Sequence, residues 1–186
     1  MSTYVYIGPQ GNLFDEPESH AHVVRAKSPV LTNEQLEKLR EVGEPDQGNM
    51  RFGAKTLKTL FTAAEGAKGL ERALQRLCEE ADEAAGAGYG ILILSDRGMG
   101  KEAAAIPSLL AAAAVHHYLI RKATRGKVGI VVETGEAREV MHFCLLIGYG
   151  ANAVNPYLAY ESLEDLHRAD QLAPNLSLEK AIKNYR

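Results

Sequence analysis

The hydrophobic pattern between residues 89 and 160 repeats one plan three times. A short apolar run of strand length is followed by polar residues, and these are followed by a helical pattern or a helix start. Continuous apolar runs cover residues 91–94 and 128–132, and a shorter strand is predicted at residues 151–154. Continuous apolar runs of this length are typical of parallel strands that are covered on both faces.

One more unit of the same kind lies upstream, and helices separate the strands. Residues 55–61 alternate and predict a strand, whereas residues 67–87 place leucines and alanines three or four positions apart, as an amphipathic helix requires. Glycines follow several of these helical patterns and are expected to end them. Further helices are predicted at residues 106–124, 137–147, 157–168 and 177–185.

The first fifty residues follow a different pattern. Residues 3–7 predict a short strand, Ser28-Pro29 predicts extended backbone, and residues 43–51 predict a polar loop. Thr32 or Asn33 is expected to cap a helix that runs to Val42.

Four successive β/α units with short connections predict an α/β fold built on a parallel sheet. They amount to half of a (β/α)8 barrel, and 186 residues fall short of the about 250 that are typical of a closed one. We therefore expect an open sheet, or a partial (half) TIM-barrel-like fold, in one domain over residues 1–186. Within it, residues 1–50 form the N-terminal segment of strand, helix and loop, and residues 51–186 form the β/α repeats.

Polar residues at the strand ends are the candidate chemistry, because ligand sites of parallel α/β folds are built there. Ser95, Asp96 and Arg97 follow one strand, Glu133 follows the next, and Asn155 follows the last. A structural interpretation is favoured for the first group, in which Ser95 and Asp96 cap the loop and Arg97 pairs with a carboxylate.

The remaining polar motifs favour structural roles as well. Glu136 and Glu139 precede a predicted helix, where acidic residues are stabilised by the helix dipole. His116 and His117 are adjacent and therefore point to different helix faces, so together with His142 they do not have the spacing of a metal site. The sequence contains no P-loop, no GxSxG motif and no recognisable nucleophile–base pair.

Composition and charge exclude other classes of protein. The net charge of -3 and the absence of a basic stripe argue against a nucleic-acid partner. The longest apolar segment, at residues 106–120, is interrupted by two histidines, so no membrane span or membrane partner is predicted. The two cysteines, Cys78 and Cys144, are too few for a zinc or iron–sulfur motif. Since no signal pattern opens the chain, we expect it in the cytoplasm or the plastid stroma.

Several long motifs resemble the central domain of glutamate synthase. They are ILILSDRG, then IPSLLAAAAVHHYLIR, then VGIVVETGEAREVMHFCLLIGYGANAVNPYLAYE. YIGPQGNLF and SPVLTNEQLEKL are similar to the beginning of that domain, and LEKAIKNYR to its end. The resemblance therefore covers nearly the whole chain.

The resemblance implies a place in an oxidoreductase of glutamate biosynthesis and nitrogen assimilation. The family enzyme, dependent on ferredoxin or NADPH, has an amidotransferase domain that releases ammonia from glutamine and an FMN-binding (β/α)8 domain with a 3Fe-4S cluster. Its central domain connects the two, contributes wall to the ammonia tunnel, and has no catalytic residue. The resemblance thus implies that this chain is inactive alone, binds no cofactor or metal, and has the other two domains as partners.

The sequence leaves two alternatives open: an independent small-molecule-binding α/β enzyme that uses the strand-end rim, and an engineered half-barrel fragment. Open sheet edges would also allow a homo-oligomer. The candidate residues are, for the tunnel side, Ser28, Thr32 and Asn33 and, for the functional rim, Ser95, Asp96, Arg97, Glu133, Asn152 and Asn155.

Overall fold

The computed structural model describes residues 4–11, 14, 18–41 and 53–186 of the chain. The polar loop predicted at residues 43–51 lies outside the described residues. The strands are β1 (Val5–Ile7), β2 (Val24–Ala26), β3 (Ala54–Lys58), β4 (Leu60–Thr62), β5 (Ile91–Ser95), β6 (Ala103–Ala105), β7 (Gly129–Glu133) and β8 (Ala153–Asn155). The α-helices are α1 (Asn33–Arg40), α2 (Gly66–Gly86), α3 (Ser108–Arg121), α4 (Val140–Gly148), α5 (Tyr157–Arg168) and α6 (Leu178–Tyr185).

The central sheet has four parallel strands in the order β3-β5-β7-β8, which is the order of the chain. This arrangement confirms the predicted α/β class with an open parallel sheet, and the described residues form no closed barrel. Each crossover carries a helix, because parallel neighbours need a long connection.

Both faces of the central strands β5 and β7 are buried, which explains their continuous apolar runs. Leu92 and Leu94 of β5 belong to the core shared with α2 and α3, while Ile91 and Ile93 belong to a second core. Successive strand residues point to opposite faces, so both sets must be apolar.

The N-terminal segment builds that second core. β1 and β2 form an antiparallel hairpin, and Ile7 packs with Leu36 and Leu39 of α1 against the sheet. The face that would be the interior of a closed barrel is thus covered by β1, β2 and α1. Thr32 caps α1 in a capping box with Gln35, as the sequence predicts.

The strand predicted at residues 55–61 is wrong as a single element. The chain leaves the parallel sheet at Thr59, and β4 pairs antiparallel with β6 in a separate ribbon. Thr59 joins the two sheets, since its N–H donates to the Ser95 carbonyl and its carbonyl accepts from Ile106. β6 is a run of three alanines, a residue with low strand propensity, and neither β6 nor β2 was predicted.

Two helices begin later than predicted. α3 begins at Ser108 rather than at residue 106, and α4 begins at Val140 rather than at residue 137. Glu139 is the N-cap of α4 and forms a capping box with His142. Glu136 contacts α3 instead, since its carboxylate accepts from the N–H and the hydroxyl of Ser108 at 2.8 and 2.5 Å. Across the described part of the chain, no helix has the length and apolar character needed to cross a membrane.

Candidate functional site

The strand ends bring three of the predicted polar residues into one row. Ser95 of β5 is in register with Glu133 of β7, and Glu133 is in register with Asn155 of β8. All three are buried, with at most 1% of their surface exposed. We define this row and the side chains bonded to it as the carboxyl-edge cluster.

Glu133 is the centre of the carboxyl-edge cluster. Its carboxylate accepts from the guanidinium groups of Arg40 and Arg97, each at 2.5 Å. Arg97 also pairs with Glu161 of α5 at 2.7 Å. Burial alone would raise the pKa of Glu133, but hydrogen bonds from Ser95, Arg40 and Arg97 outweigh it and lower the pKa. Glu133 is therefore ionised, and its carboxylate is occupied by contacts within the fold.

Arg97 is held by both charge and stacking. Its guanidinium carbon lies 4.0 Å from the centre of the Tyr157 ring, a cation–π geometry. Burial would lower the pKa of Arg97, yet the hydrogen bonds to Glu161 and Glu133 together raise it. The sequence interpretation that Arg97 pairs with a carboxylate matches these contacts.

Asp96 is the second buried carboxyl group of the cluster. It accepts from the Thr134 hydroxyl at 2.6 Å and from the Gly135 N–H at 3.0 Å, and it also bonds to the Tyr157 hydroxyl. Burial raises the pKa of Asp96 despite these three bonds. Burial and the nearby Asp96 also raise the pKa of Tyr157. These bonds tie the loop after β5 to the loop after β7.

Asn155 joins the N-terminal segment to the sheet. Its amide group donates to the Leu31 carbonyl and to the Asn33 side chain, both at 3.0 Å. Its side-chain oxygen is buried and has no hydrogen-bond partner among the described residues. Val30 also forms a parallel bridge to Val154. Residues 28–33, which include the tunnel-side candidates, therefore run along the outer edge of β8 and around its end.

The structure does not bring Asn152 to the carboxyl edge. Asn152 precedes β8, and its side chain bonds to the Ile130 N–H at 2.9 Å and to the Tyr6 carbonyl at 3.3 Å. It thus lies at the opposite end of the strand from Asn155. Ser28 and Thr32 have local roles, since the oxygen of Ser28 accepts from Val30 and that of Thr32 from Gln35.

Sequence reasoning missed the cationic and acidic partners of the cluster. Arg40 has the position of a cation that stabilises the end of a helix, and Glu161 has the position of a solvent-exposed helix residue. Neither has a sequence signal for its contact, because Arg40 is 93 positions from Glu133 and Glu161 is 64 positions from Arg97.

His116 and His142 have structural partners. His116 accepts from Arg125 at 3.0 Å through Nδ1, and His142 accepts from the Arg138 N–H at 3.1 Å. Over residues 4–11, 14, 18–41 and 53–186, no three metal-ligating side chains lie close enough to hold an ion.

The arrangement is suited to holding elements together. Its arginines and carboxylates neutralise one another, and its hydroxyl groups bond to carboxylates. A nucleophile next to a free general base, which covalent catalysis requires, is not found in the described part of the cluster.

Comparison with known proteins gives consistent matches. The family model for the glutamate synthase central domain matches residues 1–186. The chain is 41% identical over its whole length to a glutamate synthase [NADH] of Schizosaccharomyces pombe, and 40% identical over 99% of its length to the glutamate synthase [NADPH] large chain of Bacillus subtilis. A chloroplastic ferredoxin-dependent glutamate synthase of Arabidopsis thaliana is 36% identical over the whole chain. The chain spans only 9%, 11% and 12% of these three relatives.

Proposed function

Because this chain belongs to the family of glutamate synthase central domains, we propose that it is a non-catalytic part of that enzyme. In this proposal it connects the glutamine amidotransferase domain to the FMN-binding synthase domain, which are its partners. It holds no cofactor of its own, and FMN and the 3Fe-4S cluster belong to the neighbouring domain. It works in glutamate biosynthesis in the cytoplasm or the plastid stroma.

The single observation that carries the proposal is the internal pairing of the carboxyl-edge cluster. Parallel α/β enzymes normally present polar groups to the substrate at this edge. Here Glu133 is bonded to two arginines, and Asp96 is bonded to Thr134, Gly135 and Tyr157. Groups that are already bonded to one another are suited to fixing loops and helices in place.

Two measurements test the non-catalytic role. The purified chain is expected to show no flavin absorbance after incubation with FMN, and to form no glutamate from glutamine, 2-oxoglutarate and a reductant. A positive result in either measurement would overturn the proposal.

A variant of the complete enzyme gives a sharper test. Glu133→Gln is expected to lower the melting temperature. The kcat of the folded variant should stay within about twofold of the parent, because a tenfold loss requires about 1.4 kcal/mol of transition-state stabilisation, which a purely structural residue does not supply. A large loss of kcat with an unchanged melting temperature would identify Glu133 as catalytic and contradict the proposal. Glu161→Gln, which removes the more exposed partner of Arg97, is the matched control.

The same proposal includes a contribution to the ammonia tunnel by residues 28–33. Support comes from their extended path along β8, where the oxygen of the buried Asn155 lacks a partner among the described residues. An unpaired buried acceptor is costly, and a polar species passing beside it would relieve that cost.

Ser28→Leu in the complete enzyme tests this part. If the segment lines the tunnel, glutamate formation from glutamine should fall while formation from added ammonium is retained. Equal effects on both reactions would remove residues 28–33 from the tunnel. Ser162→Leu on α5, whose exposed side chain bonds only to the Leu158 carbonyl of its own helix, is the matched control and should affect neither reaction.

A further inference from the structure

The outward face of α4 is apolar along its whole length. Val140 and Met141 are 79% and 62% exposed, and Cys144, Leu145 and Ile147 are exposed as well. Val140, Cys144 and Ile147 are four and three positions apart, and Met141 and Leu145 are four positions apart, so the five residues form two adjacent rows on one side of the helix. We call these five residues the α4 face.

The other side of α4 fixes this orientation. Leu146 is 2% exposed and belongs to the core beside α2 and α3, and Phe143 packs against the same core. His142 completes the capping box at the first turn. The helix cannot rotate its apolar face inward without losing these contacts, so the α4 face is a fixed part of the surface.

The α4 face differs from the outward face of α2. α2 exposes charged residues such as Arg72, Glu79 and Glu83, as expected for a helix that covers a sheet and faces water. α4 contains no Asp, Glu, Lys or Arg between Val140 and Gly148. Contiguous exposed apolar patches of this kind mark interaction surfaces.

The end of the chain lies beside this face. The hydroxyl of Tyr185 donates to the Arg138 carbonyl at 3.2 Å, two positions before α4 begins. The Tyr185 ring also packs against Tyr160, with 5.8 Å between ring centres. α6 is thereby fixed to the segment that leads into α4.

We propose that the α4 face is the docking surface for an apolar surface of the remaining glutamate synthase polypeptide. The chain spans only 9–12% of the relatives that it matches, so most of the family enzyme lies outside it. Covalent linkage raises the effective concentration of such a partner to the millimolar range, so a small apolar patch suffices for stable contact. The inference rests on family membership and not on the proposed connecting or tunnel role.

Cys144 provides a direct probe of the face, because Cys78 is buried whereas Cys144 is exposed. The rate of alkylation of Cys144 by N-ethylmaleimide can be followed by peptide mass spectrometry in this chain and in the complete enzyme. We expect Cys144 to react at least about tenfold more slowly in the complete enzyme, because coverage of the face must open before the reagent enters. Equal rates in the two proteins would overturn the proposal.

Variants in the complete enzyme identify the contact. Val140→Glu introduces a charge into the α4 face and should restore rapid alkylation of Cys144. Ile120→Glu, which alters a 50% exposed apolar residue on α3, should leave the protection unchanged. If both variants restore alkylation equally, protection arises from general stability of the enzyme, and the α4 face is not the contact.

A second copy of the chain is the competing occupant. Protection of Cys144 that depends on enzyme concentration, or that appears in this chain alone together with a dimeric mass in sedimentation, would assign the face to self-association and overturn the proposal. Protection that is independent of concentration supports docking within one polypeptide. The flavin and glutamate measurements proposed above do not affect these alkylation rates. The docking proposal and the non-catalytic role can therefore fail independently.

Discussion

The two ends of the parallel sheet hold charged side chains in different ways. At the carboxyl edge, Glu133 is paired with two arginines. At the amino edge, Arg125 donates to neutral acceptors, namely the carbonyls of Val128 and Gly150 at 2.7 Å and His116 at 3.0 Å. The salt bridges among the described residues do not include Arg125.

The difference shows what each end depends on. The carboxyl edge depends on Glu133, the buried carboxylate shared by Arg40 and Arg97, whose removal leaves these arginines only the more exposed partners Glu37 and Glu161. The amino edge depends on backbone geometry, because two of its three acceptors are carbonyls that only a displaced chain could remove. Burial lowers the pKa of both His116 and Arg125, and the neutral imidazole can accept the arginine's hydrogen bond.

The largest expected effect comes from breaking the carboxyl edge. Glu133→Gln should lower the free energy of unfolding of this chain by about 3 kcal/mol, since removing one partner of a buried pair leaves uncompensated charge. Urea denaturation followed by circular dichroism measures the loss. Glu161→Gln removes an ion pair whose partners are 35% and 40% exposed, and should cost at most about 1 kcal/mol. Equal losses would mean that Glu133 is no more critical than a surface carboxylate.

Breaking the amino edge requires a change of backbone geometry. Gly150 has a φ of +107°, and an added Cβ would lie 2.1 Å from Nδ1 of His116. Gly150→Ala should therefore cost about 2 kcal/mol through backbone strain and displacement of His116. Thermal unfolding measures the loss, with Gly86→Ala as the control. Gly86 ends α2 with open space around it, so its replacement by alanine should stabilise the fold by a few tenths of a kcal/mol. A neutral Gly150→Ala would show that the amino edge is adaptable.

A smaller effect is expected at the cap that positions Arg40. Thr32→Ala removes the capping box of α1 and should cost about 1 kcal/mol. Because α1 carries Arg40 to Glu133, the double variant of Thr32→Ala and Glu133→Gln should lose less stability than the sum of the two single losses. Ser177→Ala removes the cap of α6 and serves as the control, whose loss should add fully to that of Glu133→Gln. If the losses add fully in both pairs of variants, the cap of α1 does not contribute to the contact between Arg40 and Glu133.

The smallest expected effect is on the pH dependence of stability. As pH falls, the stabilisation at the amino edge should decline before that at the carboxyl edge. The pKa of His116 is lowered from 6.5, so the neutral form is favoured in the fold and its stabilisation is complete above pH 6.5. As pH falls below 6.5 the unfolded chain takes up a proton first, and stability declines until the folded pKa is passed. The stability difference between the parent chain and His116→Gln should therefore shrink between pH 7.5 and 5, a range set by the ordinary histidine pKa of about 6.5.

Glu133 responds at lower pH. Its pKa is lowered from 4.5, so its stabilisation is present above pH 4.5 and is lost as pH falls through the folded pKa. The pKa of Asp96 is raised from 3.8, which gives the opposite slope, since the fold favours the protonated form. The stability difference between the parent chain and Glu133→Gln should therefore stay constant between pH 7 and 6, because an ordinary glutamate titrates near about 4.3. A difference that disappears in that range would show that Glu133 is not the titrating group.

The sequence was sufficient where the signal is local. The sequence placed the cap of α1 at Thr32 or Asn33, of which the structure has Thr32, and it gave the bounds of α5, because caps and helical periodicity are set by residues a few positions apart. The continuous apolar strands likewise predicted burial on both faces. The succession of β/α units also predicted the parallel sheet, although not the order of its strands.

The sequence was insufficient where partners are distant. Nothing near Arg40 predicts its contact with Glu133, and nothing near Glu136 predicts that it bonds to the start of α3. β4 and β6 pair with each other in a separate ribbon, and the three alanines of β6 have no strand signal of their own. Asn152 and Asn155 are three positions apart yet lie at opposite ends of β8, which a pattern of polar residues cannot distinguish.

The bridge between Val30 and Val154 has a consequence for how the chain acquires its fold. These residues join the N-terminal segment to the last strand of the sheet, and the neighbouring contact of Leu31 with Asn155 spans 124 positions. During synthesis, the N-terminal segment must wait for β8 before this edge can be closed. At about 5–20 residues per second, the delay is on the order of ten seconds, and long-range pairing of this kind slows folding further. The first part of the fold to leave the ribosome is thus among the last to be secured.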